Sequence, residues 1–311
     1  MIKPMKGEII LEQFECAIIG GGAAGLSAGL YLGLSLRNTV IFDNGTNRNR
    51  VTKKSHGYLT RDGVTPNEFK HLAMKDIQHY DNVKLVNQAV KNISKTEGRK
   101  FLIHTENGAI FEVGKIILST GIQEVFPNNI NVREFYGKSM FSCPYCDGWE
   151  VKNQPLIVIA ESDEHAMHLG KLVYNWSKDI IIASNGHKFK ERTIELFQQK
   201  GIEIIEFRIT KLRGDNGMLK AVEFDSGMVI ERTGGFISPT YKRTNDFAEK
   251  LGCEINENGH IVTDDWARTS EPNIYVAGEC KNLKSTSLSI AAAEGSQVAK
   301  MVNMDIINEN F

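Results

Sequence analysis

Phe14-Glu15-Cys16-Ala17-Ile18-Ile19 runs directly into Gly20, Gly22 and Gly25 at G-x-G-x-x-G spacing. Little but a buried strand, a tight turn and a helix packed back on the sheet accommodates that order. Leu26 to Leu32 reads as the helix, Thr39 to Phe42 as the next strand, and Asp43 ends it with Asn44 beside it. Glycine permits the turn and a close backbone approach, and the helix N-terminus at Ala23, Ala24 and Gly25 favours phosphate charge. An acid at Asp43 is at the right remove to hold a ribose hydroxyl. A lone glycine motif is an ordinary turn, but strand, helix, second strand and acid all fall in place here. The loop is therefore read as a dinucleotide pyrophosphate site.

The chain has 311 residues, a length suited to about two domains. Its formal net charge of −1 offers no basic excess for nucleic acid or an anionic membrane. No apolar run approaches the roughly 20 residues needed to span a bilayer. The opening MIKPMKGEIILEQFE alternates charged and apolar residues and does not read as a signal peptide, so a cytoplasmic protein is expected. Five cysteines, three of them scattered (Cys16, Cys253, Cys280), do not suit a secreted disulfide framework.

The other two form Cys143-Pro144-Tyr145-Cys146-Asp147-Gly148. In a reducing compartment such a pair is catalytic or metal-binding. A structural zinc site needs four ligands, and no second Cys-x-x-Cys or converging His pair exists, so no metal is expected. His165 and His168, three apart, have no further ligands in view. Thiolate is the reactive form, exchange passes through a mixed disulfide that the second sulfur resolves, and a partly buried carboxylate beside it serves as general acid or base.

Further motifs lie at both ends. Ile117-Leu118-Ser119-Thr120-Gly121 is a strand running into a turn. Asn273 to Val276 ends at Ala277-Gly278-Glu279, followed by a small-residue helix through Ala291 and Ala292. With the glycine loop and the dithiol, these resemble the low-molecular-weight thioredoxin reductases over nearly the whole chain. The resemblance implies an α/β fold of two Rossmann-like dinucleotide domains, the second inserted into the first. A discontinuous FAD domain of 1–122 and 241–311 is expected, with an inserted NAD(P)H-binding-like domain of 123–240 carrying the cysteines. It further implies a homodimer, bound FAD, Cys146 as the sulfur nearer the flavin, Cys143 as the sulfur that meets substrate, and Asp147 as the proton carrier. One departure is Glu279, where the family usually has Asp on the ribityl chain.

Arg48-Asn49, His56-Gly57-Tyr58-Leu59-Thr60-Arg61-Asp62-Gly63 and the Trp149-Glu150 after the dithiol look closer to the gliotoxin- and holomycin-type dithiol oxidases. That likeness adds Arg48 and His56 to the expected flavin-binding residues, with loop packing as the alternative role for His56. Thr65-Pro66-Asn67-Glu68 is a capping box that opens a helix.

The second nucleotide motif is damaged. After the strand Leu156-Ile157-Val158-Ile159 stands Ala160-Glu161-Ser162-Asp163-Glu164-His165-Ala166, with no glycine and three acids. After Ile180-Ile181-Ile182-Ala183 stands Ser184-Asn185-Gly186, where NADPH-selective relatives place basic residues. Lys188, Lys190 and Arg192 are expected on the solvated face of a following helix. NADPH binding in the family manner is therefore doubted. Three functions compete: a disulfide reductase serving a thioredoxin-like protein or small disulfide with ferredoxin or a second flavin as donor, an oxygen-dependent dithiol oxidase, and a flavin redox sensor without turnover.

Overall fold

The computed structural model describes residues 11–311. The N-terminal segment read for a signal peptide lies largely outside the described residues. The chain divides into two compact units: 11–48, Glu68–Gln123 and Lys242–Phe311 form one, and Asn49–Asn67 with Glu124–Tyr241 the other.

In the first unit the strand Glu12–Ile19 pairs in parallel with Thr39–Phe42 on one side and Ile110–Leu118 on the other. Val83–Val86 extends the sheet in parallel beyond Thr39–Phe42. On its far edge, Ile110–Leu118 pairs antiparallel with Phe101–Thr105 in its first half and parallel with Ile274–Val276 in its second. The C-terminal segment thus enters the same sheet as the glycine loop, beside the strand that ends at Leu118 and leads to Thr120 and Gly121. Alternation along Cys16–Ile19 sends Ala17 and Ile19 to one apolar cluster, and Cys16 and Ile18 to another formed with Leu26, Leu32, Val298 and Val302. Both faces are covered, which is why this run is continuously apolar. Each buried isoleucine contributes about 1.5–3 kcal/mol of transfer free energy.

The helix Ala23–Leu34 crosses the long helix Leu288–Asn310 so closely that a Cβ on Gly295 would lie 2.0 Å from the Ala24 carbonyl oxygen. Ser287 caps the long helix by accepting from Ile290 N at 3.2 Å.

The second unit has a wholly parallel five-stranded sheet in the order Glu203–Ile205, Ile180–Ala183, Leu156–Ile159, Gly234–Ile237, Met140–Phe141. Ile157, Ile159, Ile181 and Ala183 fill one face, and Leu156, Val158, Ile180 and Ile182 the other. A three-stranded antiparallel sheet, Ile209–Asp215, Met218–Phe224 and Val229–Glu231, belongs to the same unit.

Residues 49–67 were expected in the first domain, and the expected junctions at 122/123 and 240/241 fall one residue later between the two units. Residues 49–67 group with the second unit, because the Val51 carbonyl packs on Gly137, where a Cβ would lie 2.5 Å away. Lys54 and His56 also pair with Glu150 in that unit.

Candidate redox and nucleotide sites

In the first unit the sheet delivers the glycine loop to a tight junction. Gly20 N donates to Phe42 O at 2.8 Å, and Ser119 Oγ donates to Gly20 O at 2.9 Å. A Cβ on Gly25 would lie 1.8 Å from Gly20 O, and one on Gly21 2.7 Å from the Asp43 side chain. These glycines serve the protein's own packing. Gly22 differs: a Cβ there meets nothing within 4 Å, at the N-cap of a helix with no side-chain cap and no acid in its first turn. A helix start of that kind carries roughly half a positive charge toward the open space above Gly22. The loop therefore fits a phosphate-bearing ligand at Gly22, Ala23 and Ala24.

Asp43, buried, forms an ion pair with Lys70 and accepts from Gly45 N at 3.2 Å. Asn44 instead closes its own turn, accepting from Thr46 Oγ1 at 2.6 Å. At the C-terminal motif Gly278 takes a φ of +78°, and its N–H donates to Glu294 Oε2 at 2.7 Å. Glu279 accepts Nη2 of Arg48 at 2.6 Å, Nε at 3.0 Å, and the backbone N of Thr286 at 2.8 Å. The longer side chain at the position where Asp is usual is thus met by a guanidinium fork. Thr120 O accepts from Thr244 Oγ1 at 3.1 Å, Gly121 takes a φ of +67°, and Ala291 and Ala292 lie half-buried near the start of the long helix. Lys70 and Glu294 were missed in the sequence. Lys70 sits on the helix Pro66–Ile77 that the capping box opens, and no motif connects it to Asp43.

In the second unit Cys143 and Cys146 form a disulfide with Cα atoms 5.2 Å apart. Pro144–Asp147 is a single helical turn with Cys143 as its N-cap, and Cys146 N donates to Cys143 Sγ at 3.2 Å. The proline sits at the first helical position, where its missing N–H costs nothing. Both sulfur-bearing residues are partly exposed, and Asp147 is only 7% exposed. By contrast Cys16, Cys253 and Cys280 are free and buried, and burial pushes all three thiols up, away from the reactive thiolate. Among the described residues no group of His, Cys, Asp and Glu could hold a metal ion. No helix among them is long and apolar enough to cross a membrane. His56 belongs to this second unit, with Nδ1 3.2 Å from Asp62 and Nε2 3.1 Å from Glu150. Both ring nitrogens thus face carboxylates.

The segment after Leu156–Ile159 is tied to its neighbours. Glu161 Oε1 accepts from Asn185 Nδ2 at 2.6 Å. Asn185 Oδ1 accepts from Ile209 N at 3.0 Å. Asp163 accepts from Thr193 Oγ1 at 2.6 Å and Lys190 N at 2.9 Å, and faces His187 Nε2 at 3.2 Å. The Thr193 and Lys190 bonds, with His187, pull its carboxyl down to about 2. Ser162 caps the short turn Asp163–His165 by accepting from His165 N. The helix expected to carry all three basic residues is Glu191–Gln198, so Lys188 and Lys190 precede it and only Arg192 lies on it. Asp163 fixes that start by binding the helix's first turn from outside. Lys188 pairs with Glu206 at 3.1 Å.

Comparison with known proteins places this geometry. The pyridine nucleotide-disulphide oxidoreductase family profile matches residues 14–295. A solved structure described as a putative thioredoxin reductase TrxB from Bacillus anthracis is 49% identical with a TM-score of 0.94, covering 96% of this chain and 100% of that one. A probable thioredoxin reductase of Arthroderma benhamiae is 28% identical, covering 96% of this chain and 81% of its own. Thioredoxin reductase aclD of Aspergillus oryzae is 27% identical, covering 89% of this chain and 92% of its own. With the loop, the dithiol and the two parallel sheets accounted for, this chain belongs to the pyridine nucleotide-disulphide oxidoreductase family, as a flavoprotein oxidoreductase similar to the thioredoxin reductases.

Proposed function

We propose that this protein is an FAD-dependent dithiol–disulfide oxidoreductase that exchanges electrons between its flavin and the Cys143–Cys146 pair, on a thioredoxin-like protein or a small disulfide. The observation that carries the reading is the partly exposed disulfide at a helical turn, followed at once by buried Asp147. FAD would be held by Gly20, Gly22, Ala23, Ala24, Gly25 and Asp43, with Thr120, Gly121, Gly278, Glu279, Ala291 and Ala292 of the same unit and Arg48 orienting Glu279. When bound, the flavin supplies or accepts the electron pair.

The protein's own steps derive from thiol chemistry. In the reductive direction the Cys143 thiolate attacks the substrate disulfide, forming a mixed disulfide and releasing one substrate thiolate, which takes a proton. Cys146 then attacks Cys143 Sγ, releasing the second substrate thiolate and restoring the Cys143–Cys146 bond. Two electrons leave the pair and two protons go to the products. Asp147, which follows Cys146 directly in the chain, is assigned the proton transfer.

A donor other than NADPH is part of the proposal. The segments that would cradle its phosphates are cross-tied by Glu161–Asn185 and by Asp163 with Lys190, Thr193 and His187. A diphosphate would have to displace those bonds and meet the carboxylates. Ferredoxin or a second flavin suits the donor role. A second reading, oxidation of a small dithiol at the expense of oxygen, is favoured by the aromatic surface beside the pair: Tyr145 is 75% and Trp149 63% exposed. Homodimer formation accords with the family likeness.

Anaerobic stopped-flow mixing tests the reading. Dithiothreitol should bleach the flavin while micromolar NADPH and NADH do so poorly. Flavin reduction by micromolar NADPH at catalytic rates would overturn the donor assignment, and disulfide turnover surviving Cys143→Ser would overturn the function itself. Oxygen consumption driven by a small dithiol separates the oxidase from the reductase.

A further inference from the structure

Residues 55–64 form a loop closed on itself. Ser55 N donates to Val64 O at 2.8 Å, Gly63 N to Ser55 O at 2.9 Å, and Gly57 N to Asp62 Oδ1 at 2.9 Å. Leu59 at its tip is 88% exposed. His56, a residue of this loop with a side chain only 15% exposed, faces Glu150 just past the dithiol turn. Its Nδ1 lies 3.2 Å from Asp62 Oδ1 on the loop, and its Nε2 lies 3.1 Å from Glu150 Oε1. Lys54 Nζ approaches the same Glu150 oxygen at 3.5 Å. Glu150 is one turn past Cys146: its N–H donates to Asp147 O at 3.1 Å, and Asp147 N donates to Cys143 O at 3.1 Å.

We propose that His56 is a positioning residue for disulfide exchange: it clasps the 55–64 loop to the turn bearing Cys143 and Cys146 and neutralises Glu150 beside that pair. The proposal rests on the reading of Cys143–Cys146 as the redox centre. Its logic is electrostatic. A carboxylate one turn from a dithiol disfavours the thiolate that must attack, unless a cation compensates it. Lys54, and His56 while it is protonated, supply that compensation, and His56 of the two also bonds Asp62 across the loop.

The charged groups facing His56 are Asp62 on its own loop and Glu150 on the dithiol turn, with Lys54 across from Glu150. Burial draws the imidazole pKa down, but the hydrogen bonds to Glu150 and Asp62 outweigh it and raise the value above the ordinary one. The same contact, with Lys54, holds Glu150 below the ordinary carboxylate range. A raised histidine means the charged clasp is complete below the ordinary histidine value and is lost as pH rises through the folded one.

The test uses the reduced holoprotein. Iodoacetamide alkylation of Cys143 and Cys146 is measured against pH and located by mass spectrometry, in wild type, His56→Gln, Glu150→Gln and the double variant. His56→Gln should raise the thiol midpoint by about half a pH unit, near threefold slower labelling at fixed pH. Glu150→Gln should not raise it, and adding it to His56→Gln should restore the wild-type midpoint. Both single variants should be cut faster by trypsin at Arg61, since each opens the clasp. A role confined to packing would change proteolysis and melting without moving the midpoint. An unshifted midpoint in a folded His56→Gln protein would overturn the proposal, as would a double variant that stays shifted. If His56→Gln does not fold, Glu150→Gln decides alone: unaltered trypsin cleavage there overturns the clasp. Failure of reduction to expose two thiols at Cys143 and Cys146 would instead sink the redox reading beneath it.

Discussion

Gly22 separates what the loop does for the protein from what it does for a ligand, and Gly22→Ala exploits the separation. At Gly20 an added Cβ would lie 2.4 Å from Ser119 O, with φ at +113°. At Gly25 it would lie 1.8 Å from Gly20 O. At Gly22 it meets nothing within 4 Å, and the backbone at φ −80°, ψ −173° is open to any residue. The protein therefore loses only the difference between glycine and alanine at a helix N-cap, under about 1 kcal/mol. A dinucleotide pyrophosphate pressed against the loop loses its approach to the helix amides. Each charge-assisted bond forfeited is worth about 1.5–3 kcal/mol, or roughly ten- to a hundredfold in Kd. Urea unfolding of flavin-free protein and FAD titration by fluorescence quenching measure the two quantities separately. Stability should stay within about 1 kcal/mol while FAD binding weakens at least about tenfold. Gly25→Ala should damage both, and Gly22→Asp should abolish binding by adding charge to bulk. Wild-type FAD affinity in Gly22→Ala would refute the placement of the pyrophosphate, and a flavin-free protein weakened by more than about 2 kcal/mol would refute the claim that the space is open.

Arg48→Ala leaves Glu279, whose side chain is 12% exposed, without its guanidinium fork. A loss of about 2–3 kcal/mol in urea unfolding is expected, partly recovered by adding Glu279→Gln. Asp163 has a folded pKa of about 2, below its ordinary value, so its contribution is present above about pH 4 and fades as pH falls toward 2. The difference in thermal midpoint between wild type and Asp163→Asn should therefore shrink across that window, and a constant difference would contradict the assignment. Native alkylation should leave Cys16, Cys253 and Cys280 unlabelled and modify Cys143 and Cys146 only after reduction; mass spectrometry of the digested protein checks both.

The parts of the fold that were legible are those where one local rule decides. Leu156–Ile159 and Ile180–Ala183 begin and end where their apolar runs do, because a strand buried on both faces has no polar residue to blur its limits. The dithiol was legible because its chemistry is written in adjacent residues. The contacts that cross long stretches of chain were not. Arg48 and Glu279 are 231 residues apart, and nothing in either neighbourhood names the other. Segment 49–67 was expected within the first domain, yet the Gly137 contact and the Glu150 pairings tie it to the second unit. Both are tertiary choices made by close approach and charge, which leave no periodicity behind.

In the second unit the core of the Rossmann-like sheet is set by the strands and not by the loops. Ile157, Ile159, Ile181 and Ala183 fix the strand register from one face and Val158 and Ile182 from the other, and none of them depends on the loops that leave the strand ends. The loops must still satisfy their own polar groups, and in this chain acids do so. Asp163 brings a carboxylate to the start of Glu191–Gln198, where backbone N–H groups and the helix dipole favour negative charge. Glu161 and Asn185 bind each other and, through Ile209 N, the edge of the antiparallel sheet. An anion supplied by the chain stabilises that terminus at every moment, whereas a phosphate does so only when bound. On this reasoning the acids that stand in these loops strengthen the fold of the unit. Glycine in place of Glu161 and Ser162 would remove the bond to Asn185 and the cap on His165 N, and so weaken the unit.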